Sequence, residues 1–374
     1  MTTLRNARIV TPHGVVRGSL TVAGERIAAV SRHSDGSGED LGGAWLVPGF
    51  VDIHVHGGGG ATYTTGEVDQ ARQVAAFHLS HGTTTTLASL VTSPPELMHQ
   101  ATVGYAPLVA EGVIAGIHYE GPYLSAVRCG AQNPDHLRKP DLDELACLIE
   151  AGAGAVRMVT IAPELPGASE AIKWLVARGV TVAIGHTDAT YDQTLAGVAA
   201  GATVGTHVFN GMRPPHHREP GPVYALLAAD TVVCEFIADG VHLHDGTLRF
   251  ATGVTGPHRA ALITDAMTAT GMPDGTYELG GQPVTVSGGV ARLAEGTEGA
   301  GSIAGSTLTM DAALRRAVRA GLSIVDATAM AATTPARALG LTDRGAVVPG
   351  LRADLVILSD DLQVQRVMRA GQWR

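Results

Sequence analysis

Histidines and carboxylates recur in this chain at the ends of apolar runs, in the segments VDIHVHG, IHYEGP, AIGHTDA, GTHVFNG, EFIADGVH and LITDAM. His54 and His56 end one such run, and Glu120, His186 and His207 end others. Asp239 with His242, and Asp265, close two more. Side chains two residues apart on an extended backbone point to the same face, so His54 and His56 can aim at one point. Imidazole nitrogens combined with carboxylates form the donor set of zinc, iron and other borderline first-row metals. A lone His-x-His pair is as readily a satisfied pair of core histidines. Its repetition with Glu120, His186, His207 and Asp265 at matching positions predicts a divalent metal site. Zinc is the first expectation, with iron, manganese or cobalt as alternatives. Such an ion makes hydroxide available near neutral pH, and a nearby carboxylate can move the proton, which is the chemistry of hydrolysis.

The elements that must position these residues alternate between two periods. Strand candidates are LVPGFVDIHVHG, TTTTLASLV, IAGIHYEGP, VRMVTIAPE, TVAIGHTDA, GATVGTHVFNGM, VVCEFIADGVHL and RAALITDAM. Amphipathic segments such as VDQARQVAAFHLSHG and ASEAIKWLVARG lie between them. Gly82, Gly112, Gly152, Gly179 and Gly201 are suited to end helices in the left-handed conformation. Eight strand-then-helix units predict an α/β fold, a (β/α)8 TIM barrel, whose catalytic groups sit at the C-terminal ends of the strands. Both chain ends instead read as short alternating strands. The expected organisation is a small β-sandwich from residues 1–47 and 346–374 around a catalytic barrel at 48–345. A glycine-rich insertion at 271–303 is expected to carry a hairpin.

Composition limits the alternatives. With 45% apolar and 16% charged residues the chain can bury a large core, which excludes disorder. A formal charge of -9 argues against nucleic acid as a partner. Three cysteines cannot build a disulfide framework, and no apolar run approaches the length of a membrane span. A soluble cytoplasmic protein is expected. Cys147 and Cys234 read as buried, and His118, one layer below Glu120, as a residue that supports the ligands or packs rather than ligates.

The motif PGFVDIHVHG resembles the opening of the amidohydrolase superfamily, and GLRADLVIL resembles that superfamily's return to its small β domain. Within it, HYEGPYL, GHTDAT, THVFNGM with REPG, DGVH, TDAM and AGSTLTM resemble the N-acetylglucosamine-6-phosphate deacetylase family, in order from about residue 48 to 355. The two lysines agree with this. Lys139 lies in a loop and Lys173 in a helix, so neither can be the metal-bridging lysine of many dinuclear relatives, and Glu120 takes the strand-end position.

The resemblance implies that Glu120, His186 and His207 hold the principal metal, with His54 and His56 available for a second. It implies Asp265 as general base and acid, although that residue can also be a further ligand. By the same resemblance His242 and Arg218 bind the phosphate of a phosphorylated amino sugar, one such contact crossing a homodimer interface. Asn210, Gly211, Ile303, Ala304 and Gly305 would line the substrate. Ala131 and Gln132 occupy the GAQ position, where the family usually carries histidine, so any proton transfer there is lost. Ser125–Gly130 is expected to form a flap, with Cys129 as a possible contact or an incidental thiol. The rival readings are an amidohydrolase for another N-acyl substrate and a metal-free scaffold. The first is separated by dependence on phosphate, and the second is disfavoured because six ligand-type positions are intact.

Overall fold

The computed structural model describes residues 1–33 and 36–374. Eight parallel strands form the central sheet in sequence order. They are β1 (Phe50–Asp52), β2 (Thr83–Val91), β3 (Gly116–Glu120), β4 (Val156–Ile161), β5 (Thr181–Ile184), β6 (Val204–Gly205), β7 (Val233–Ile237) and β8 (Ala260–Ile263). Each is followed by a helix: α1 (Val68–Ser80), α2 (Pro95–Ala110), α3 (Leu142–Gly152), α4 (Ala168–Val176), α5 (Tyr191–Ala199), α6 (Gly221–Ala228), α7 (Asp245–Thr255) and α8 (Met310–Arg319). All nine residues of β2 are buried, as expected of a strand covered on both faces. The ring closes just past β1 and β8. There the Asp265 N–H donates to the His54 carbonyl at 2.9 Å, and the Thr264 hydroxyl donates to Asp52 Oδ2 at 2.6 Å.

Local chemistry sets several boundaries. Thr190 and Gln193 form a reciprocal capping box at the start of α5, and Asp141 accepts two backbone N–H bonds at the start of α3. The end of α3 differs from expectation. Gly152 is its last helical residue, and Ala153 takes the left-handed position at φ 46°. Gly152 is needed there for space, since a Cβ would come within 2.9 Å of Val156.

LVPGFVDIHVHG is not one strand. It divides at Gly49 into Trp45–Pro48, which joins the terminal sheet, and β1 in the barrel. A Cβ at Gly49 would lie 2.2 Å from the Thr84 hydroxyl, so the crossing runs directly against β2. The terminal domain combines Thr2–Thr11, Gly14–Ala23, Arg26–Ser31, Glu39–Asp40 and Trp45–Pro48 with Leu355–Leu358, Val364–Arg369 and Gln372–Trp373. The sheet rolls over its own core of Leu4, Ile9, Leu20, Leu46, Leu355 and Met368, and its Ile27 edge returns to Gly350 and Leu351. The insertion forms a three-stranded antiparallel meander, Gly275–Leu279, Gln282–Ser287 and Val290–Leu293, which is two hairpins where one was expected. No helix among the described residues is long and apolar enough to cross a membrane.

Candidate metal centre and substrate pocket

The barrel brings the sequence-predicted ligands together immediately beyond the strand ends. His54 and His56 lie just past β1, Glu120 is the last residue of β3, and His186, His207 and Asp265 follow β5, β6 and β8. His186, His207 and Asp265 have φ of 45°, 25° and 50°, a region that costs a non-glycine residue on the order of 1–3 kcal/mol. Neighbouring backbone fixes them. Ser125 N–H donates to the His186 carbonyl at 2.9 Å, and Ser306 N–H to that of Asp265 at 2.7 Å. Gly211 and Gly305 belong to the same construction. A Cβ on Gly211 would sit 2.8 Å from His186 Nδ1, and one on Gly305 2.9 Å from the Asp265 carbonyl.

All four imidazoles point Nε2 at the carboxylates. His186 and His207 Nε2 lie 3.0 and 2.9 Å from Glu120 Oε1. His54 Nε2 lies 3.3 Å from Glu120 Oε1, and His56 Nε2 is 3.3 Å from Glu120 Oε2 and 3.2 Å from Asp265 Oδ1. Each Nδ1 faces an acceptor with no proton to give: Glu235 Oε2 for His54 at 3.2 Å, and the carbonyls of Ser89, Arg128 and Asn210 for His56, His186 and His207 at 3.1, 2.9 and 3.1 Å. Each Nδ1 is therefore the donor, leaving the Nε2 lone pairs facing inwards. Those of His54 and His56 are 3.2 Å apart, and those of His186 and His207 3.1 Å. Bare lone pairs repel at that distance. It is close to the edge of about 3.3 Å that two nitrogens span around zinc at about 2.0–2.1 Å. The residues fit one or two divalent ions, with Glu120 between two groups, His186–His207 and His54–His56–Asp265.

The electrostatics agree. Burial opposes a charge on His56, yet Asp265 and Glu120 outweigh it and hold the ring's pKa up at about 9. Burial likewise opposes a charge on Glu120, but His54, His186 and His207 keep it well below the usual carboxylate range. The centre thus attracts positive charge, whether protons or a cation. His118 is different: burial holds it well below the ordinary histidine range, and it bonds to Ser89 and Thr160 hydroxyls at 3.0 and 2.9 Å as a packing residue.

Sequence reasoning missed Glu235 and Asp52. Glu235 is fully buried in β7, facing His54 and receiving the His207 N–H at 3.2 Å. Its signal was an acidic residue inside the apolar run VVCEFI. Burial raises the pKa of Asp52 to about 7 despite the Thr264 hydroxyl, and Asp52 anchors the β1–β8 seam beneath the ligands.

Above the centre opens a cavity of about 280 Å³. Ala131, Gln132, Asn210, Gly211, His242, Ile303 and Gly305 line it, and Leu279 and Ser302 of the insertion complete one wall. Gln132 faces Glu120, donating to Oε2 at 2.6 Å while its own oxygen receives the Thr92 N–H at 2.7 Å. His242 Nδ1 is held by Asp239 at 2.7 Å. Ala304 is fully buried behind the wall and does not reach the cavity. Arg218 is exposed outside it, with His217 Nε2 2.8 Å from its Nη1. The Ser125–Gly130 segment contains a short 3-10 turn, Ala126–Arg128, and Arg128 pairs with Asp188 at 2.8 Å. Cys129 is partly buried there, outside the cavity lining. Cys147 is exposed, contrary to expectation, because its face of α3 turns to solvent while Leu145 and Leu148 turn inward. Cys234 is buried, which pushes its thiol up to about 12.

A parallel eight-stranded barrel carrying this donor set at its mouth, beside a small sheet from both termini, defines a metal-dependent hydrolase of the amidohydrolase class. The chain belongs to the amidohydrolase family, whose profile matches residues 45–374. It is similar to N-acetylglucosamine-6-phosphate deacetylase of Lysinibacillus sphaericus, 35% identical over 93% of this chain and 91% of the relative. It is also similar to N-acetylgalactosamine-6-phosphate deacetylase of Escherichia coli O157:H7, 39% identical over 87% of each. Among solved structures, an aspartate-to-alanine mutant of N-acetyl-D-glucosamine-6-phosphate deacetylase from Mycobacterium smegmatis, in complex with N-acetyl-D-glucosamine-6-phosphate, superposes with a TM-score of 0.95. The two are 48% identical over 100% of this chain and 98% of that one.

Proposed function

We propose that this protein hydrolyses N-acetylglucosamine 6-phosphate to glucosamine 6-phosphate and acetate, in amino-sugar catabolism or cell-wall recycling. The observation that carries the reading is the convergence of four Nε2 lone pairs on Glu120 and Asp265 at the floor of a cavity with His242 on its wall. Relatives that act on phosphorylated N-acetylhexosamines support the substrate class.

His186, His207 and Glu120 would hold the principal ion, and His54, His56 and Glu120 a second, with zinc the first expectation. When bound, the metal supplies Lewis acidity that makes hydroxide available near neutral pH and polarises the acetyl carbonyl. The remaining chemistry belongs to side chains. Asp265 Oδ1 faces the same space as the His56 ring, so it can accept the proton of the attacking water and return it to the sugar nitrogen as the amide C–N bond breaks. Gln132 donates to Glu120 and cannot itself shuttle a proton. His242, with Nδ1 held by Asp239, presents Nε2 to the phosphate. Asn210, Gly211, Ala131, Ile303 and Gly305 shape the sugar and acetyl sides. Arg218 suits phosphate through its planar fork, and its exposed position suits a contact across a homodimer interface.

The test is acetate release by metal-loaded protein from N-acetylglucosamine 6-phosphate, its galactosamine epimer and unphosphorylated N-acetylglucosamine. Release from the phosphorylated glucosamine alone supports the reading. Preference for the epimer moves the assignment to the galactosamine branch. Equal release with and without phosphate refutes the phosphate pocket.

A further inference from the structure

The opposite end of the barrel holds a second polar cavity that the proposed deacetylation does not use. Its volume is about 150 Å³, enough to hold several waters or a small ion. It lies between the start of β2, the turn from α2 to β3, and the segments that return the chain to the terminal sheet. Three arginines from separate stretches, Arg344, Arg352 and Arg369, line it beside the Thr85 hydroxyl.

Their partners do not balance them. Arg344 is paired with Asp343 through two contacts of 2.8 and 3.1 Å and donates to Thr85 at 3.3 Å. Arg352 Nε sits 3.1 Å from Asp354 Oδ1, outside hydrogen-bond alignment, and among the described residues neither of its Nη atoms has a protein partner. Arg369 donates from Nη2 to the Gly112 and Val113 carbonyls, yet no carboxylate lies within ion-pair distance, and its buried Nε has no partner among the described residues. Three guanidiniums thus face two carboxylates, leaving one positive charge and several N–H groups uncommitted. Burial and the nearby Arg352 and Arg344 charges lower the proton affinity of Arg369, although Asp354 opposes them. Like charges gathered in a partly dry cavity repel unless an anion joins them.

We propose that this cavity is a binding site for a small phosphate-class oxyanion, separate from the substrate pocket, held by Arg344, Arg352 and Arg369 and linking the terminal sheet to the base of the barrel. Guanidinium forks match the geometry of phosphate oxygens, and the cavity has room for a phosphoryl group.

The test is calorimetric titration of metal-loaded protein with inorganic phosphate and, separately, glucosamine 6-phosphate. It uses a His242→Gln background to weaken the proposed substrate-side contact. Saturable binding of inorganic phosphate in His242→Gln, weakened about tenfold or more when Arg352→Gln is added, is the expected result. Arg369→Gln and Arg344→Gln provide the same comparison should Arg352→Gln fail to fold. Phosphate binding that is unchanged by loss of these arginines, or absent from His242→Gln, overturns the proposal. So does binding of the sugar phosphate without binding of free phosphate, because that would assign recognition to the sugar and hence to the mouth of the barrel. Deacetylase activity is not a readout, so failure here is distinguishable from failure of the proposed function.

Discussion

Replacing Asp265 with asparagine removes a proton acceptor while preserving shape. The backbone restraints on residue 265 are its N–H bond to the His54 carbonyl and its carbonyl bond from Ser306, and neither involves the side chain. Asparagine also tolerates the φ of 50° better than most residues. The side-chain oxygen can still face His56 Nε2, now 3.2 Å from Oδ1, so the fold and the first metal group should survive. What is lost is general base and acid catalysis at one atom, a contribution of about 10²–10⁴ in rate. At about 1.4 kcal/mol per decade this corresponds to about 3–5 kcal/mol of transition-state stabilisation. The assay is single-turnover acetate release from N-acetylglucosamine 6-phosphate, with substrate affinity and melting temperature measured on the same preparations. A fall of at least a hundredfold in the chemical step, with affinity and melting temperature close to the parent, is expected. An Asp265→Asn enzyme within tenfold of the parent refutes the assignment of proton transfer to this carboxylate.

Glu235→Gln should weaken the metal held by His54 and His56 about 10–100-fold, because Gln cannot match the carboxylate as acceptor for His54 Nδ1. Metal content after graded chelator dialysis would show it, as loss of one ion before the other. His242→Ala should raise KM for the phosphorylated substrate about tenfold or more and leave the unphosphorylated sugar unaffected, since only a charge-assisted contact is removed. His78, fully buried with its pKa lowered by burial to about 4, is neutral when folded. The unfolded chain binds the extra proton below about 6.5, so stability is full above that pH and falls as pH drops towards 4, by on the order of 3 kcal/mol. Denaturant titrations of His78→Gln between pH 4 and 6.5 should lose that part of the slope.

The chemistry was legible in sequence because metal ligands are few residue types at strand ends, and eight such ends fix a barrel's mouth. Less legible were the residues that act through others. Glu235 sits mid-strand in an apolar run, and only the curvature of the barrel places β7 beside His54. The same holds for Gln132: its sequence position suggested substrate, whereas folding turns its amide towards Glu120 and the Thr92 N–H. Gly49 divides one apolar run between two sheets for a reason no periodicity contains, the proximity of Thr84.

By itself, then, the sequence determined the alternation of strands and helices, the donor set and the side of the barrel on which it gathers, since these follow from local period and residue chemistry. Tertiary structure alone decided which nitrogen of each imidazole faces inwards, through acceptors drawn from β2 and β7 and from the loops after β3 and β6. It alone left Arg218 outside its own pocket and gathered Arg344, Arg352 and Arg369 around one cavity. Those outcomes depend on distances between residues far apart in the chain, which are fixed only when the barrel closes and the two termini pair across it.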